Sequence, residues 1–288
     1  MTGYHSFPIL SPMPELPEVE TVCRGLAVAL EGRRLARVEV RRPNLRLPFP
    51  SDFAERLKDR VITRISRRAK YMCWHLDDGW VVICHLGMSG RMIIGKDDGE
   101  VPGKHDHVIL VTDKGDKVSF NDARRFGLMD MATEEGLARH KLLAGIGPEP
   151  LSDAFTAKVL LAGLAGRSSP IKVVLLDQTL VAGIGNIYAS EALFRAGISP
   201  IRPASSLTLK EAGKLTKAIK DVLTEAIAAG GSSLKDHRQP SGELGYFQHA
   251  FAVYDREGEP CPGCDCRQGI RKITQAGRST YYCDKRQG

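Results

Sequence analysis

The period of the apolar pattern changes once along this chain, and that change limits the fold more than any other feature. From Leu35 to Asp130 the sequence runs in short alternating or wholly apolar stretches: RLARVEVRR, KYMCWHL, WVVICHLGM, HVILVT and KVSFND. The turn signals DDGW, DDGE and DKGD separate them. Side chains on such segments alternate between two faces, and an apolar face is hidden only by pairing into sheets and stacking them. Beyond the loop GIGPEPLS the period becomes helical. Leu215, Ile219, Val222, Leu223 and Ile227 recur along one face. Thr208 and Glu211 form a capping-box pattern before them, and Gly230-Gly231 stop the run. Residues Pro17 to Leu30 predict an earlier helix, with Val19, Val22, Leu26 and Leu30 near one face. A further short helical stretch is expected around Glu134 to Leu143. Strands first and helices second make an α+β, multidomain chain, with an N-terminal β-sandwich flanked by helices.

The tail after Phe251 is a small unit of its own. Cys261, Cys264, Cys266 and Cys283 fall within it, with sixteen residues between the last two. Cysteines clustered in this way in a cytosolic protein read as metal ligands before disulfides, and tetrahedral zinc takes four thiolates. A second C-x-x-C turn would need a cysteine at position 286, where Arg286 stands. Cys23, Cys73 and Cys84 lie apart and read as buried thiols.

Of the 288 residues, 42% are hydrophobic, and the net charge is +7. A chain of this length buries a core without disulfides. No apolar run approaches the ~20 residues of a membrane span, and the first dozen residues lack the features of a signal peptide. A cytoplasmic protein with an anionic partner is expected, nucleic acid ahead of a membrane surface. Two basic clusters beside aromatics suit that partner: Ser66-Arg-Arg-Ala-Lys70-Tyr71 and Asp122-Ala-Arg124-Arg125-Phe126-Gly127. Taken alone, each reads more readily as a solvated sheet edge. Gly183-Ile-Gly185-Asn186 opens a helical run. It is either a phosphate cradle or, more commonly, a tight helix–helix turn. Lys104-His105-Asp106-His107 has no evident third ligand and reads as hydrogen-bonding.

These stretches occur together in one family. MPELPEVET, RRAKY, HLGMSG, KHDHV, ARRFG, IGPEPLS, LLDQ, GIGNIYASEALF, GGSSLKD, GYFQ and GRSTYYC run in order from Met13 to Cys283. The chain resembles the bacterial formamidopyrimidine-DNA glycosylases. The opening MPELPE favours them over the endonuclease VIII-like enzymes that act on oxidised pyrimidines. The resemblance implies a β-sandwich over 13–145, a helix–two-turn–helix DNA-binding domain over 146–248 and a zinc hairpin over 249–288. Residues 1–12 become an extension outside the enzyme proper. The partner implied is damaged double-stranded DNA, bound by a monomer.

The same resemblance assigns the site. Pro14 is the nucleophile through its secondary amine, Glu15 the general acid, and Lys70 and Arg278 the groups that assist elimination. His105, Arg124, Arg167 and Asn186 hold phosphates; Met88, Arg124 and Phe126 fill the hole left by the flipped base. Residues 230–245 match a loop that closes over an oxidised purine. Zn2+ is implied on Cys261, Cys264, Cys266 and Cys283, with Cys264 standing in for the cysteine missing at 286. A terminal amine has a pKa near ~7.8, so roughly a tenth is free at pH 7, against about 0.04% for an ordinary lysine. Pro14 has that amine only if the chain begins there, after loss of Met13. With the first twelve residues retained, the alternative is a DNA-binding paralogue with a blocked proline.

Overall fold

The computed structural model describes residues 13–232 and 246–288. The chain opens with helix α1 (Leu16–Leu30), followed by β1 (Arg33–Val40), a one-turn helix α2 (Phe53–Leu57) and β2 (Val61–Arg68). Next come β3 (Tyr71–Leu76), β4 (Trp80–His85), β5 (Arg91–Lys96), β6 (Asp106–Thr112), β7 (Asp116–Asn121) and β8 (Leu128–Thr133). The eight strands hydrogen-bond in the order β5-β7-β6-β1-β2-β3-β4-β8.

The sandwich arises because β1 is shared. Its first residues, Arg33 and Arg34, pair with β2, and the stretch from Leu35 to Val40 pairs with β6, with an irregularity between Leu35 and Arg37. A bulge bends a strand and increases its twist, so one continuous ladder folds over into two facing layers. Leu35, Leu110 and Phe120 from one layer meet Met72, Trp74 and Met129 from the other. Val19, Val22, Leu26 and Leu30 of α1 join that core along one helical face, as their spacing predicts. Leu26 and Leu30 are fully buried, which stabilises by roughly 1.5–3 kcal/mol each.

The helical part contains α3 (Ala157–Leu164), α4 (Ile171–Leu175), α5 (Asn186–Ala196) and α6 (Leu209–Ala228). Thr208 caps α6, accepting from the Glu211 N–H, while Glu211 accepts from the Thr208 N–H at 2.8 Å. Gly230 and Gly231 follow α6 with φ of 76° and 75° and end it. The expected helix over 134–143 is instead a turn and one 3-10 turn, Leu137–Arg139. Strand β8 continues to Thr133, the Gly136 N–H bonds back to the Thr133 carbonyl, and His140 is already extended, which leaves no room for a full helical turn. Leu16 of α1 lies within the helical core, so the first helix serves both halves.

Two last strands, β9 (Arg271–Gln275) and β10 (Arg278–Tyr282), form the C-terminal hairpin, turning at Ala276 and Gly277 with φ of 47° and 72°. Positive φ at both central residues is the turn that matches strand twist. The segment leading to the hairpin is bolted to α5 by one buried carboxylate. Glu191 accepts the backbone N–H groups of Ala252, Val253 and Tyr254, each at 2.9 Å. Replacing Glu191 with Ala strands three backbone donors, one buried and two partly buried. Roughly 2–4 kcal/mol of destabilisation is expected in urea titration, with the hairpin the first part to lose protection in hydrogen exchange.

Candidate active site

Pro14 and Glu15 precede α1 and are buried. The Glu15 side chain crosses to the helical half and caps α5. Its Oε2 accepts the Gly185 N–H at 2.7 Å and the Tyr188 N–H at 3.3 Å; its Oε1 accepts the Ile187 N–H at 2.9 Å. Gly185 is required there, since a Cβ on it would overlap the Glu15 carboxyl group. The turn before α5 is held by Gln178, which donates to the Ile184 carbonyl at 2.9 Å and accepts the Gly183 N–H at 2.9 Å. The backbone N–H groups at the N-terminus of α5 are thus taken by a carboxylate of the protein itself, and Gly183-Ile-Gly185-Asn186 forms a tight turn.

Burial pushes the Glu15 carboxyl up to about 7, against the Lys70 charge and the α5 N–H groups, which act to lower it. Glu18 reinforces the arrangement, accepting from the Glu15 N–H at 3.0 Å, the Tyr188 hydroxyl at 2.6 Å and the Ser232 N–H at 2.8 Å.

Lys70 stands at the two-residue turn between β2 and β3, where Ala69 takes φ of 52°. That conformation is held from outside: Glu149 accepts the Ala69 N–H at 2.6 Å and pairs with Arg67 and Arg68 at 2.8 Å. Lys70 is buried, and desolvation lowers its pKa. The Arg278 charge acts in the same direction, and the charges of Glu15 and Glu18 oppose it. Arg278, at the exposed start of β10, also acts on Lys172, which is fully buried and lowered to about 8, chiefly by desolvation. The Lys172 ammonium donates to Asn186 Oδ1 and, at 3.3 Å, to the Ser279 carbonyl, and Asn186 Nδ2 donates to that carbonyl at 2.9 Å. Glu15, Lys70, Arg278 and Asn186 therefore gather where the sandwich, α5 and the hairpin meet.

A second group sits on loops of the sandwich. Met88 lies between β4 and β5, Arg124 and Phe126 lie between β7 and β8, and His105 precedes β6. The Arg124 guanidinium stacks 4.8 Å from the Phe126 ring centroid, and Phe126 is 43% exposed. Arg167 is tied to Asp177 at 2.7 Å and makes no described contact with either group. His107 donates to the Asp122 carbonyl at 2.8 Å, as the hydrogen-bonding reading of that histidine stretch requires. Most of the glycine-rich 230–245 segment lies outside the described residues. Sequence reasoning missed Lys172, Glu18 and Asp122; a lysine inside the apolar run IKVVLL was the one signal on offer.

The four C-terminal thiols converge, all within 4.8 Å of one another, with Cys264 and Cys266 3.5 and 3.4 Å from Cys283. Zinc–sulfur bonds of about 2.3 Å in a tetrahedron place sulfurs about 3.8 Å apart, so the set fits zinc. Arg286 supplies no ligand. It stacks on Phe194 at 4.7 Å and donates to the Gly263 carbonyl at 3.2 Å, and so packs against the ligand turn.

Known proteins agree with this geometry. Residues 13–129 match the model of the formamidopyrimidine-DNA glycosylase N-terminal domain, and residues 146–238 that of the formamidopyrimidine-DNA glycosylase H2TH domain. A formamidopyrimidine-DNA glycosylase of Rhodospirillum rubrum is 59% identical over 280 residues, covering 96% of this chain and 100% of that protein. The chain belongs to the formamidopyrimidine-DNA glycosylase family. The Paracoccus denitrificans relative is 54% identical over 94% of this chain and 98% of its own. The crystal structure of MutM (Fpg) from Thermus thermophilus superposes with a TM-score of 0.85 at 41% identity, covering 96% of this chain and 99% of that one. A Lactococcus lactis Fpg mutant in complex with Fapy-dG-containing DNA gives 0.87 at 33% identity, covering 95% and 99%. Among the described residues, no helix is long and apolar enough to cross a membrane.

The four thiols can hold one zinc ion, and the purified protein is expected to contain about one per chain. Cys261→Ser, Cys264→Ser, Cys266→Ser and Cys283→Ser should each lower that content and the melting temperature together. A variant that keeps full metal would remove its cysteine from the ligand set.

Proposed function

We propose that this chain is a bifunctional glycosylase and lyase of base-excision repair. It removes oxidised purines, 8-oxoguanine and formamidopyrimidines, from duplex DNA and then cuts the abasic strand. The observation that carries the reading is the carboxyl group of Glu15. It directly follows Pro14 and is buried to an acidity near 7 beside Lys70, in a chain of this family. An ordinary glutamate is well under about 1% protonated at pH 7, whereas burial raises this one so that it holds its proton near neutral pH and can still give it up, as a general acid must.

The lesion is turned out of the duplex, because C1′ is out of reach inside the stack. The Pro14 nitrogen attacks C1′, the glycosidic bond breaks, and the departing base takes up the proton that the nitrogen gives up. Glu15 gives its proton to the ring oxygen as the sugar opens, leaving an iminium between Pro14 and C1′. The iminium acidifies the C2′ proton. Lys70 assists removal of that proton, and the 3′ phosphate leaves in β-elimination. Arg278, placed to grip a backbone phosphate, assists departure of the 5′ phosphate in δ-elimination. Arg124 and Arg167 pair with backbone phosphates while His105 and Asn186 hydrogen-bond to them, which requires Arg167 to exchange Asp177 for DNA. Met88, Arg124 and Phe126 enter the space vacated by the base and offset part of the unstacking cost.

The work is divided among a sandwich domain over 13–145, a DNA-binding domain over 146–248 and a hairpin over 249–288. The enzyme acts as a monomer in the bacterial cytoplasm, at the nucleoid when bound to DNA. The match of the family's N-terminal domain from residue 13 onward supports a functional chain that starts at Pro14.

Borohydride reduction during turnover tests the proposal. A form whose first residue is Pro14, verified by mass spectrometry, is expected to become covalently attached to DNA carrying 8-oxoguanine. A form that retains residues 1–12 is expected to give no adduct and no nick. Full cleavage by the longer form, or no adduct with the shorter one, would overturn the assignment of Pro14.

A further inference from the structure

The two loops that carry Met88 and the pair Arg124 and Phe126 are joined through a buried side chain. Asp122 is 0% exposed. Its Oδ1 accepts the Ser89 hydroxyl from the first loop and, at 3.3 Å, the Arg124 N–H. Its Oδ2 accepts the Gly127 N–H at 2.8 Å. The main chain of Asp122 is committed as well: its N–H donates to the His105 carbonyl at 3.0 Å, and its carbonyl accepts from His107 Nε2 at 2.8 Å. Ser89 completes the link by accepting the Arg124 N–H on its Oγ at 3.2 Å.

The loops are also pressed together. A Cβ on Gly87, whose φ is 65°, would overlap the backbone of Phe126 and Gly127. Arg125, between the two wedge residues, takes φ of 59°, a conformation costly for a side chain of its size and kept only where the surroundings enforce it.

We propose that Asp122 is a positioning residue that clasps the Met88 loop to the Arg124–Phe126 loop, so that the three side chains enter DNA as one preformed wedge. The inference rests on the void-filling reading given above. Entry into a stacked duplex costs unstacking energy, and a wedge that had to be ordered at the same moment would add the entropy of two loops. A carboxylate suits the clasp because both its oxygens only accept, and every group facing them donates. Asparagine has one acceptor and would turn an NH2 group toward a donor.

The test compares two reactions under single-turnover conditions: excision of 8-oxoguanine from a duplex, and strand cleavage at a preformed abasic site in the same duplex. An abasic nucleotide has no base to unstack and depends least on the wedge. Asp122→Asn is expected to slow excision about tenfold or more, and Ser89→Ala about threefold, with abasic cleavage within about twofold of the parent for both. Ser89→Ala removes only a hydroxyl, so it carries the test if Asp122→Asn does not fold. Equal losses in both reactions, or a loss in neither, would overturn the clasp. Met88→Ala combined with Phe126→Ala tests the underlying reading. If that double variant leaves the ratio of the two rates unchanged, the wedge falls and the clasp with it. If it shifts the ratio and the clasp variants do not, the clasp alone falls.

Discussion

One carboxylate holds this enzyme together where its chemistry occurs. Glu15 leaves the start of α1 and seats its oxygens on the first N–H groups of α5, 170 residues further along the chain. The helix N-terminus gains the negative partner it favours, and the two halves of the molecule are joined beside Pro14. The seat has a cost: both oxygens are removed from water, and that desolvation outweighs the N–H groups and the Lys70 charge, leaving an acid close to neutral. The contact that joins the halves is thus also the one that makes Glu15 able to give up a proton at physiological pH.

The same device recurs around the site. Glu149 fixes the Ala69–Lys70 turn, Glu18 ties α1 to Tyr188 and Ser232, Glu191 gathers three N–H groups ahead of the hairpin, and Asp122 joins two loops. Each of these acids, buried or partly buried, accepts donors from a segment remote in sequence. Such bonds are stronger than neutral ones and expensive to break singly, since each leaves a charge or a donor unpaired. The reacting groups sit on turns and chain ends, and these carboxylates give those segments the rigidity that regular structure would otherwise supply.

What was legible in the sequence was what depends on near neighbours. Alternation located the strands between Leu35 and Asp130, the Thr208–Glu211 spacing located the start of α6, and the cysteine spacing located the four converging thiols. The helix expected over 134–143 is reduced to one 3-10 turn because β8, paired with β4, runs through Thr133, and a local turn closed by the Gly136 N–H follows at once. Lys172 was passed over because nothing in IKVVLL shows that its ammonium meets Asn186 and the Ser279 carbonyl. Glu15 stood out through its place beside Met-Pro, yet its acidity could not be read there. That property belongs to the burial of the carboxyl group at its seat on α5, which outweighs the opposing Lys70 charge and N–H groups.

The acidity of Glu15 is therefore the quantity to measure. Carbon-13 titration of the glutamate side-chain carboxyls, with the Glu15 resonance assigned by its loss in Glu15→Gln, follows that group alone. A midpoint at about 7 is predicted. A midpoint near 4.5, the value of an unperturbed glutamate, would show that the seat on α5 does not make Glu15 an acid at neutral pH.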